Sequence, residues 1–247
     1  MDIEKLEKLM KIIKNSKHLV FFGGAGVSTA SNIPDFRGEH GLYNYTPEDI
    51  ISHSFFKEHT KEFYEFYFDK MVYLDALPNE CHKFLALLEE NKMLDAVITQ
   101  NIDGLHQKAG SKNVIELHGS VLRNYCMKCN RFYDIYSKPF KDINYKGVPK
   151  CDCGGIIKPD VVLYEEPLNE NDITKAINAI SKADTLIIGG TSLVVYPAAS
   201  FIRFFRGQNL VLINLSEINI EGLSLNINGK VEEYLNTDNF NKYLKEK

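Results

Sequence analysis

Apolar positions recur along this chain with two periods. Residues 2–16 carry Ile3, Leu6, Leu9, Met10, Ile12 and Ile13 near one face, which predicts an amphipathic helix. His18-Leu19-Val20-Phe21-Phe22 follows as a short apolar run, the pattern of a buried strand. Runs of the same kind return at Val97-Ile98-Thr99, Val114-Ile115-Glu116-Leu117, Thr185-Leu186-Ile187-Ile188 and Leu210-Val211-Leu212-Ile213. Helical patterns separate them. One covers residues 47–76 and is opened by the cap, proline and acids of Thr46-Pro47-Glu48-Asp49. Others cover 80–91, 169–183, 196–206 and 231–246. Strands apolar on both faces, alternating with helices, predict an α/β chain with an open parallel sheet. Such a sheet takes its ligand outside the carboxyl ends of its strands.

The strand ends carry the candidate chemistry. The first runs into Gly23-Gly24-Ala25-Gly26-Val27-Ser28-Thr29, a turn that can bring backbone N–H groups to a phosphate. Thr29 occupies the third glycine position of G-x-G-x-x-G, and no acid closes an obvious second strand. The turn therefore fits a dinucleotide but not the usual dehydrogenase. The second run ends in Gln100-Asn101-Ile102-Asp103-Gly104-Leu105-His106, which groups amides, a carboxylate and an imidazole within seven positions. His118 ends the third run, and a free pKa of about 6.5 suits a general base at neutral pH. Gly189-Gly190-Thr191-Ser192 and Asn214-Leu215-Ser216 end the last two. Residues 32–43 form a loop broken by Pro34, Gly38 and Gly41. Its Asp35, Phe36 and Arg37 belong either to a surface salt bridge or to a lid over a cofactor.

Residues 121–158 change character. Cys126-Met127-Lys128-Cys129 and Cys151-Asp152-Cys153 are close pairs about twenty residues apart, the spacing of a closed four-thiolate zinc site. Such a site folds a segment too small to hold a core alone. Cys81 lies in a helical pattern and reads as a buried thiol. Residues 158–166 form an extended apolar segment, either a linking strand or an edge that pairs with an incoming peptide. At 247 residues, 44% hydrophobic and 25% charged, the chain has the make-up of one large domain, or of one domain with a small module. A net charge of −4 disfavours non-specific nucleic-acid binding. The start, Met1-Asp2-Ile3-Glu4-Lys5-Leu6, lacks the basic and apolar regions of a signal peptide, and no apolar stretch is long enough to span a bilayer. The expectation is a cytoplasmic protein with no nucleic-acid or membrane partner. Short length without long tails adds the expectation of a bacterial-style monomer.

Taken together, Gly24-Ala25-Gly26-Val27-Ser28, Pro34-Asp35-Phe36-Arg37-Gly38, Thr99-Gln100-Asn101-Ile102-Asp103-Gly104-Leu105-His106, His118-Gly119, the four paired cysteines and Gly190-Thr191-Ser192 resemble a sirtuin of bacterial type. The match runs in order from about residue 10 to 240. The resemblance implies a Rossmann-like doubly wound sheet over residues 1–40, 80–120 and 160–247. It implies a small domain made of a helical insertion, 41–79, and a zinc ribbon, 121–159. It implies NAD in contact with Gly24, Ala25, Gly26, Thr29, Asp35, Phe36 and Arg37. Gln100, Asn101, Ile102, Asp103 and His118 would line the ribose and nicotinamide pocket. Gly190, Thr191, Ser192, Asn214, Ser216 and Val231 would hold the adenosine side. Val161, Val162 and Val194 would meet the acylated lysine peptide, and Cys126, Cys129, Cys151 and Cys153 would hold one structural zinc.

The activity implied by the resemblance is NAD-dependent deacetylation of protein lysines. The acyl oxygen attacks the ribose carbon that bears nicotinamide, with His118, Asn101 and Asp103 as catalytic residues. His118 takes a proton through the ribose hydroxyls, Asn101 orients ribose and water, and Asp103 binds the nicotinamide carboxamide. The products would be free lysine, nicotinamide and O-acetyl-ADP-ribose. Family members that favour succinyl or malonyl groups carry Tyr-x-x-Arg in the helical insertion. The nearest stretch here is Tyr67-Phe68-Asp69-Lys70, and a lysine does not replace the bidentate fork of an arginine. Acetyl is therefore expected, with longer apolar acyl groups as an alternative. A zinc-ribbon binding module would leave the polar strand ends unexplained. A dehydrogenase would need the absent glycine and acid. Mono-ADP-ribosyl transfer shares the NAD site, and only its products distinguish it.

Overall fold

The computed structural model describes residues 1–34, 47–142 and 146–245. The first half runs α1 (Ile3–Asn15), β1 (Leu19–Gly23), α2 (Pro47–Ile50), α3 (His53–Glu58), α4 (Thr60–Lys70), α5 (Glu80–Glu90), β2 (Ala96–Thr99) and α6 (Leu105–Ala109). Next come β3 (Val114–Glu116), β4 (Gly119–Cys126), β5 (Phe132–Asp134) and β6 (Ile157–Val161). The chain closes with α7 (Glu170–Lys182), β7 (Thr185–Gly189), β8 (Asn209–Asn214), β9 (Leu225–Asn228), α8 (Val231–Tyr234) and α9 (Thr237–Tyr243).

Six strands form a sheet in the order β3-β2-β1-β7-β8-β9, with every pairing parallel. This is the doubly wound order, and its direction of winding reverses between β1 and β7. Alternate residues of the central strands feed two layers. Phe21, Val97, Ile187 and Val211 face a cluster with Leu6, Leu9 and Ile13 of α1 and Phe84, Leu85 and Leu88 of α5. Val20, Phe22, Ile98, Leu186 and Ile188 face Ala176 and Ile180 of α7 and Phe201. Burial on both sides is why these strands read as continuous apolar runs.

A second sheet, β5-β4-β6, is antiparallel and springs directly from the first. β3 ends at Glu116 and β4 begins at Gly119, so His118 sits at the joint. Gly119 has φ +76°, and a Cβ there would stand 1.8 Å from the carbonyl oxygen of Asp160 on β6. Only glycine allows the two strands to meet at this point. Arg123 spans the joint, donating from Nη1 to Glu116 at 2.6 Å and from Nε to Asp160 at 2.7 Å. Above it, Phe56, Phe63, Tyr64 and Tyr67 of α3 and α4 pack with Val121, Val161 and Leu163.

Several predicted elements change form. The single helix expected over 47–76 is three short ones, α2, α3 and α4. Ser52 caps α3, its hydroxyl accepting from the Phe55 N–H, while the neighbouring backbone bonds to Tyr164. His59, at φ −127° and ψ 48°, breaks α3 from α4. The helix expected over 196–206 is a tighter 3-10 turn over Ala198–Phe204. The helix expected over 231–246 divides at Asn236, whose side chain caps α9. The apolar pattern predicts no strand at β9, because asparagines alternate with its buried Leu225 and Ile227.

Candidate active site and metal centre

A cavity of about 660 Å³ opens at the carboxyl ends of β1 and β7. The two glycine turns that floor it touch backbone to backbone. The Gly26 N–H donates to the Gly190 carbonyl at 2.8 Å, and a Cβ on Gly26 would lie 2.8 Å from the Gly190 Cα. The N–H groups of Gly24, Gly26, Val27 and Ser28 all donate to carbonyls nearby, whereas that of Ala25 meets no acceptor among the described residues, which suits it to a ligand. The turn is thus less of an open phosphate nest than its glycines predict. Thr29 is tied back through its hydroxyl to the Gly26 carbonyl at 3.0 Å.

Gln100 joins three strand ends. Its N–H donates to the Gly23 carbonyl at 3.0 Å, its side-chain amide donates to Thr191 Oγ1 at 3.1 Å, and its carbonyl accepts from His118 Nδ1 at 2.9 Å. A carbonyl only accepts, so the His118 proton sits on Nδ1 and Nε2 carries the lone pair. Burial lowers the His118 pKa, and the bond to Gln100 opposes that shift. The ring is neutral near pH 7.

Asn101 and Asp103 converge on Ser28. Asn101 Nδ2 donates to Ser28 Oγ at 3.0 Å, and Ser28 Oγ donates to Asp103 Oδ2 at 2.6 Å. The other Asp103 oxygen accepts the Leu105 N–H at 2.8 Å. Burial raises the Asp103 pKa, while the Ser28 and Leu105 donors pull it back. Ser28 was not among the expected site residues. Its signal was a small hydroxyl inside the first glycine turn.

The remaining candidates line the same cavity. Ile102, Gly190, Thr191, Ser192 and Val231 are on its walls, and Asn214 donates from Nδ2 to both the carbonyl and the hydroxyl of Ser216 at 3.0 Å. Val161 and Val162 form one rim, and the Val162 N–H donates to the His118 carbonyl at 3.0 Å. Val194 stands exposed on the other rim beside Tyr196. Asp35, Phe36 and Arg37 lie outside the described residues. Lys70, Met71, Tyr73 and Tyr164 also face the cavity and were not singled out as contacts.

At the far end of β4, the Sγ atoms of Cys126, Cys129, Cys151 and Cys153 all lie within 4.8 Å of one another. The Cys126–Cys153 and Cys129–Cys151 pairs are 3.5 and 3.6 Å apart. A tetrahedral zinc with bonds of about 2.3 Å to sulfur places its ligands about 3.8 Å apart, so the cluster fits that ion. The Tyr133 hydroxyl donates to Cys151 Sγ at 3.1 Å and the Lys128 N–H to Cys126 Sγ at 3.4 Å, as thiolates require.

The Sir2 family profile matches residues 24–197. A Clostridium perfringens protein named NAD-dependent protein deacetylase is 63% identical over 221 residues, covering 86% of this chain and 89% of its own. A Clostridium tetani protein of the same name is 60% identical over 224 residues, covering 87% and 88%. A solved Sir2 complex with a deacetylated peptide and 3'-O-acetyl ADP-ribose superposes with a TM-score of 0.86 at 38% identity, covering 97% of both chains. A Sir2 complex with a peptide and NAD+ gives 0.83 at 39% identity, covering 93% of this chain and 95% of the other. The doubly wound sheet, the small second sheet and the four-cysteine cluster agree with these matches, and the chain belongs to the Sir2 family, the sirtuins.

Proposed function

We propose that this chain is an NAD-dependent protein-lysine deacetylase that releases nicotinamide and O-acetyl-ADP-ribose. The observation that carries the reading is His118, neutral and protonated on Nδ1, at the joint between the NAD-type crevice and the strand edge of Val161 and Val162. Relatives named deacetylases support it, as does a Sir2 complex that contains 3'-O-acetyl ADP-ribose.

NAD, when bound, supplies an electrophilic ribose carbon with nicotinamide as its leaving group. Ala25 offers a backbone N–H to its phosphates, and Gly190, Thr191, Ser192, Asn214, Ser216 and Val231 hold the adenosine side. Gln100 fixes the floor beneath the ribose by tying Thr191 to His118. Asp103 receives the carboxamide of nicotinamide on a carboxylate already held by Ser28 and Leu105. Asn101 orients the ribose and the attacking water. His118 takes up a proton on Nε2, which activates the ribose hydroxyl relay. By the family resemblance, Phe36 and Arg37 would contact NAD; both lie outside the described residues.

The peptide adds as a strand along Val161 and Val162, with Val194 opposite. Residues 1–40, 80–120 and 160–247 form the NAD-binding body, and 41–79 with 121–159 form the small domain. The two apolar clusters around the large sheet and the separate clusters of α3–α4 and the ribbon support that division. Cys126, Cys129, Cys151 and Cys153 would hold a zinc ion with four thiolates, and an ion so held would staple the ribbon and leave the reaction to other groups. Acetyl and other apolar acyl groups fit best, because Lys70 on the cavity wall is paired with Asp69 at 3.4 Å and Tyr67 is fully buried. A Sir2 structure with a propionylated peptide is a neighbour at TM-score 0.83.

The test is mass spectrometry of an acetyl-lysine peptide incubated with the protein, with and without NAD. Loss of the acetyl group only with NAD, together with O-acetyl-ADP-ribose, is the expected result. ADP-ribose attached to the peptide or the protein, with no deacetylation, would replace this reading with ADP-ribosyl transfer.

A further inference from the structure

Ser28 is bonded to a buried group that the reaction above leaves unused. His82 lies on α5, 54 residues away in sequence, and its ring is fully buried. The Asn79 N–H donates to His82 Nδ1 at 3.3 Å, so Nδ1 is an acceptor and the neutral ring carries its proton on Nε2. Nε2 lies 3.5 Å from Ser28 Oγ, at the long end of hydrogen bonding.

A hydroxyl has one proton and two lone pairs. Asn101 Nδ2 already occupies one lone pair of Ser28, and His82 Nε2–H faces the hydroxyl as a second donor. With both donors in place, the Ser28 proton goes to Asp103. The arrangement is locked from behind. Asn79 donates from Nδ2 to the Val27 carbonyl at 2.7 Å and to Ser31 Oγ at 3.0 Å, which pins the start of α5 to the glycine turn. His106 of α6 packs against the His82 ring with centroids 4.7 Å apart and a tilt of 62°. His106 is itself buried, and among the described residues neither of its ring nitrogens has a partner, so it fills the space behind His82 without competing for Ser28. Burial also holds the His82 pKa down at about 4, which keeps the ring neutral.

We propose that His82 is a positioning residue for the nicotinamide pocket: its Nε2–H orients the Ser28 hydroxyl and so holds the Asp103 carboxylate toward the carboxamide. The inference rests on the reading that Asp103 receives that carboxamide.

Two substitutions separate positioning from packing. His82→Asn keeps an acceptor where Nδ1 stands and removes the donor to Ser28. His82→Gln places an amide N–H where Nε2 stands and gives up Nδ1. The readouts are the NAD dissociation constant by titration calorimetry without acetylated peptide, the NAD KM against kcat, the nicotinamide inhibition constant, and Tm. His82→Asn should weaken NAD and nicotinamide by about threefold to tenfold, the worth of one hydrogen bond, with a smaller change in kcat. His82→Gln should stay within about twofold, whatever its Tm. Histidine-selective nitrogen NMR of the unsubstituted protein should find the His82 proton on Nε2. Equal weakening by both variants, or a proton on Nδ1, overturns the proposal. Asp103→Asn distinguishes the two failures. If it leaves nicotinamide inhibition unchanged, the reading of Asp103 falls and takes this inference with it. If it abolishes that inhibition while His82→Asn changes nothing, only the role of His82 falls.

Discussion

His118 Nδ1 donates to the backbone carbonyl of Gln100 at 2.9 Å, and the same Gln100 reaches Thr191 with its side chain. One residue thereby sets the tautomer of the candidate base and its distance from the second glycine turn. The base is aligned by backbone, which a side-chain substitution at position 100 leaves in place.

His118→Ala removes the proton acceptor and should lower kcat by about 10²–10⁴-fold, the usual worth of a general base. The ring is only half-buried, so Tm should move little. Steady-state deacetylation and a thermal melt check both. Near-parental turnover would mean that another group takes the proton.

The pH dependence follows from the depressed His118 pKa. Its ordinary value is 6.5, and burial lowers it in the fold. The base form is therefore present at neutral pH and lost only as pH falls below that value. The acid limb of the kcat/KM profile should lie below about 6.5 and move or vanish in His118→Ala. A limb above pH 7 would contradict the lowered His118 pKa.

The His82 and His106 pair predicts acid lability. Both pKa values are pushed down, His82 to about 4 by burial, and His106 by burial and then by His82. An unfolded histidine takes its proton near 6.5, so the unfolded chain binds more protons than the folded one between about 6.5 and 4. Stability is full above that window and falls as pH drops through it, by up to about 3 kcal/mol for His82. Urea midpoints measured across this range should decline, and His82→Gln should flatten the decline. Midpoints that hold steady from pH 7 to 4 would rule the effect out.

Metal removal should act through folding. With the ion stripped, four thiolates within 4.8 Å repel one another and the ribbon loses its staple. Chelation should release one zinc per chain, lower Tm and abolish deacetylation, and returned zinc should restore all three. Full turnover by metal-free protein would contradict a purely structural ion.

Much of the site was legible from the chain alone, because its pieces are local. The glycine turns, the run from Gln100 to Asp103, and the two cysteine pairs each place their groups within a few residues of one another. Ser28 and His82 were not legible as partners. They lie 54 residues apart, and nothing in either local pattern points to the other. The aromatic stretch over 47–76 reads as one helix because nothing inside it breaks the pattern: it holds no glycine, and its one proline stands at the first position. Bonds from Tyr164 to Ile51 and His53, formed only when the small sheet is assembled, divide it.

The sequence by itself determined strands β1, β2, β3, β7 and β8, the helices α1, α5 and α7, and which polar groups end up at those strand termini. Burial on both faces writes an apolar run into the chain, and a four-thiolate cluster writes its cysteine spacing. Tertiary structure alone decided the strand order β3-β2-β1-β7-β8-β9, and with it the crevice between β1 and β7. It also decided that His118 should lie at the joint of two sheets and that Ser28 should receive Asn101 and His82 together. Those relationships depend on close approach between residues far apart in sequence, such as Gly119 against Asp160 and Gly26 against Gly190. Local propensity carries no information about which distant backbone will arrive there.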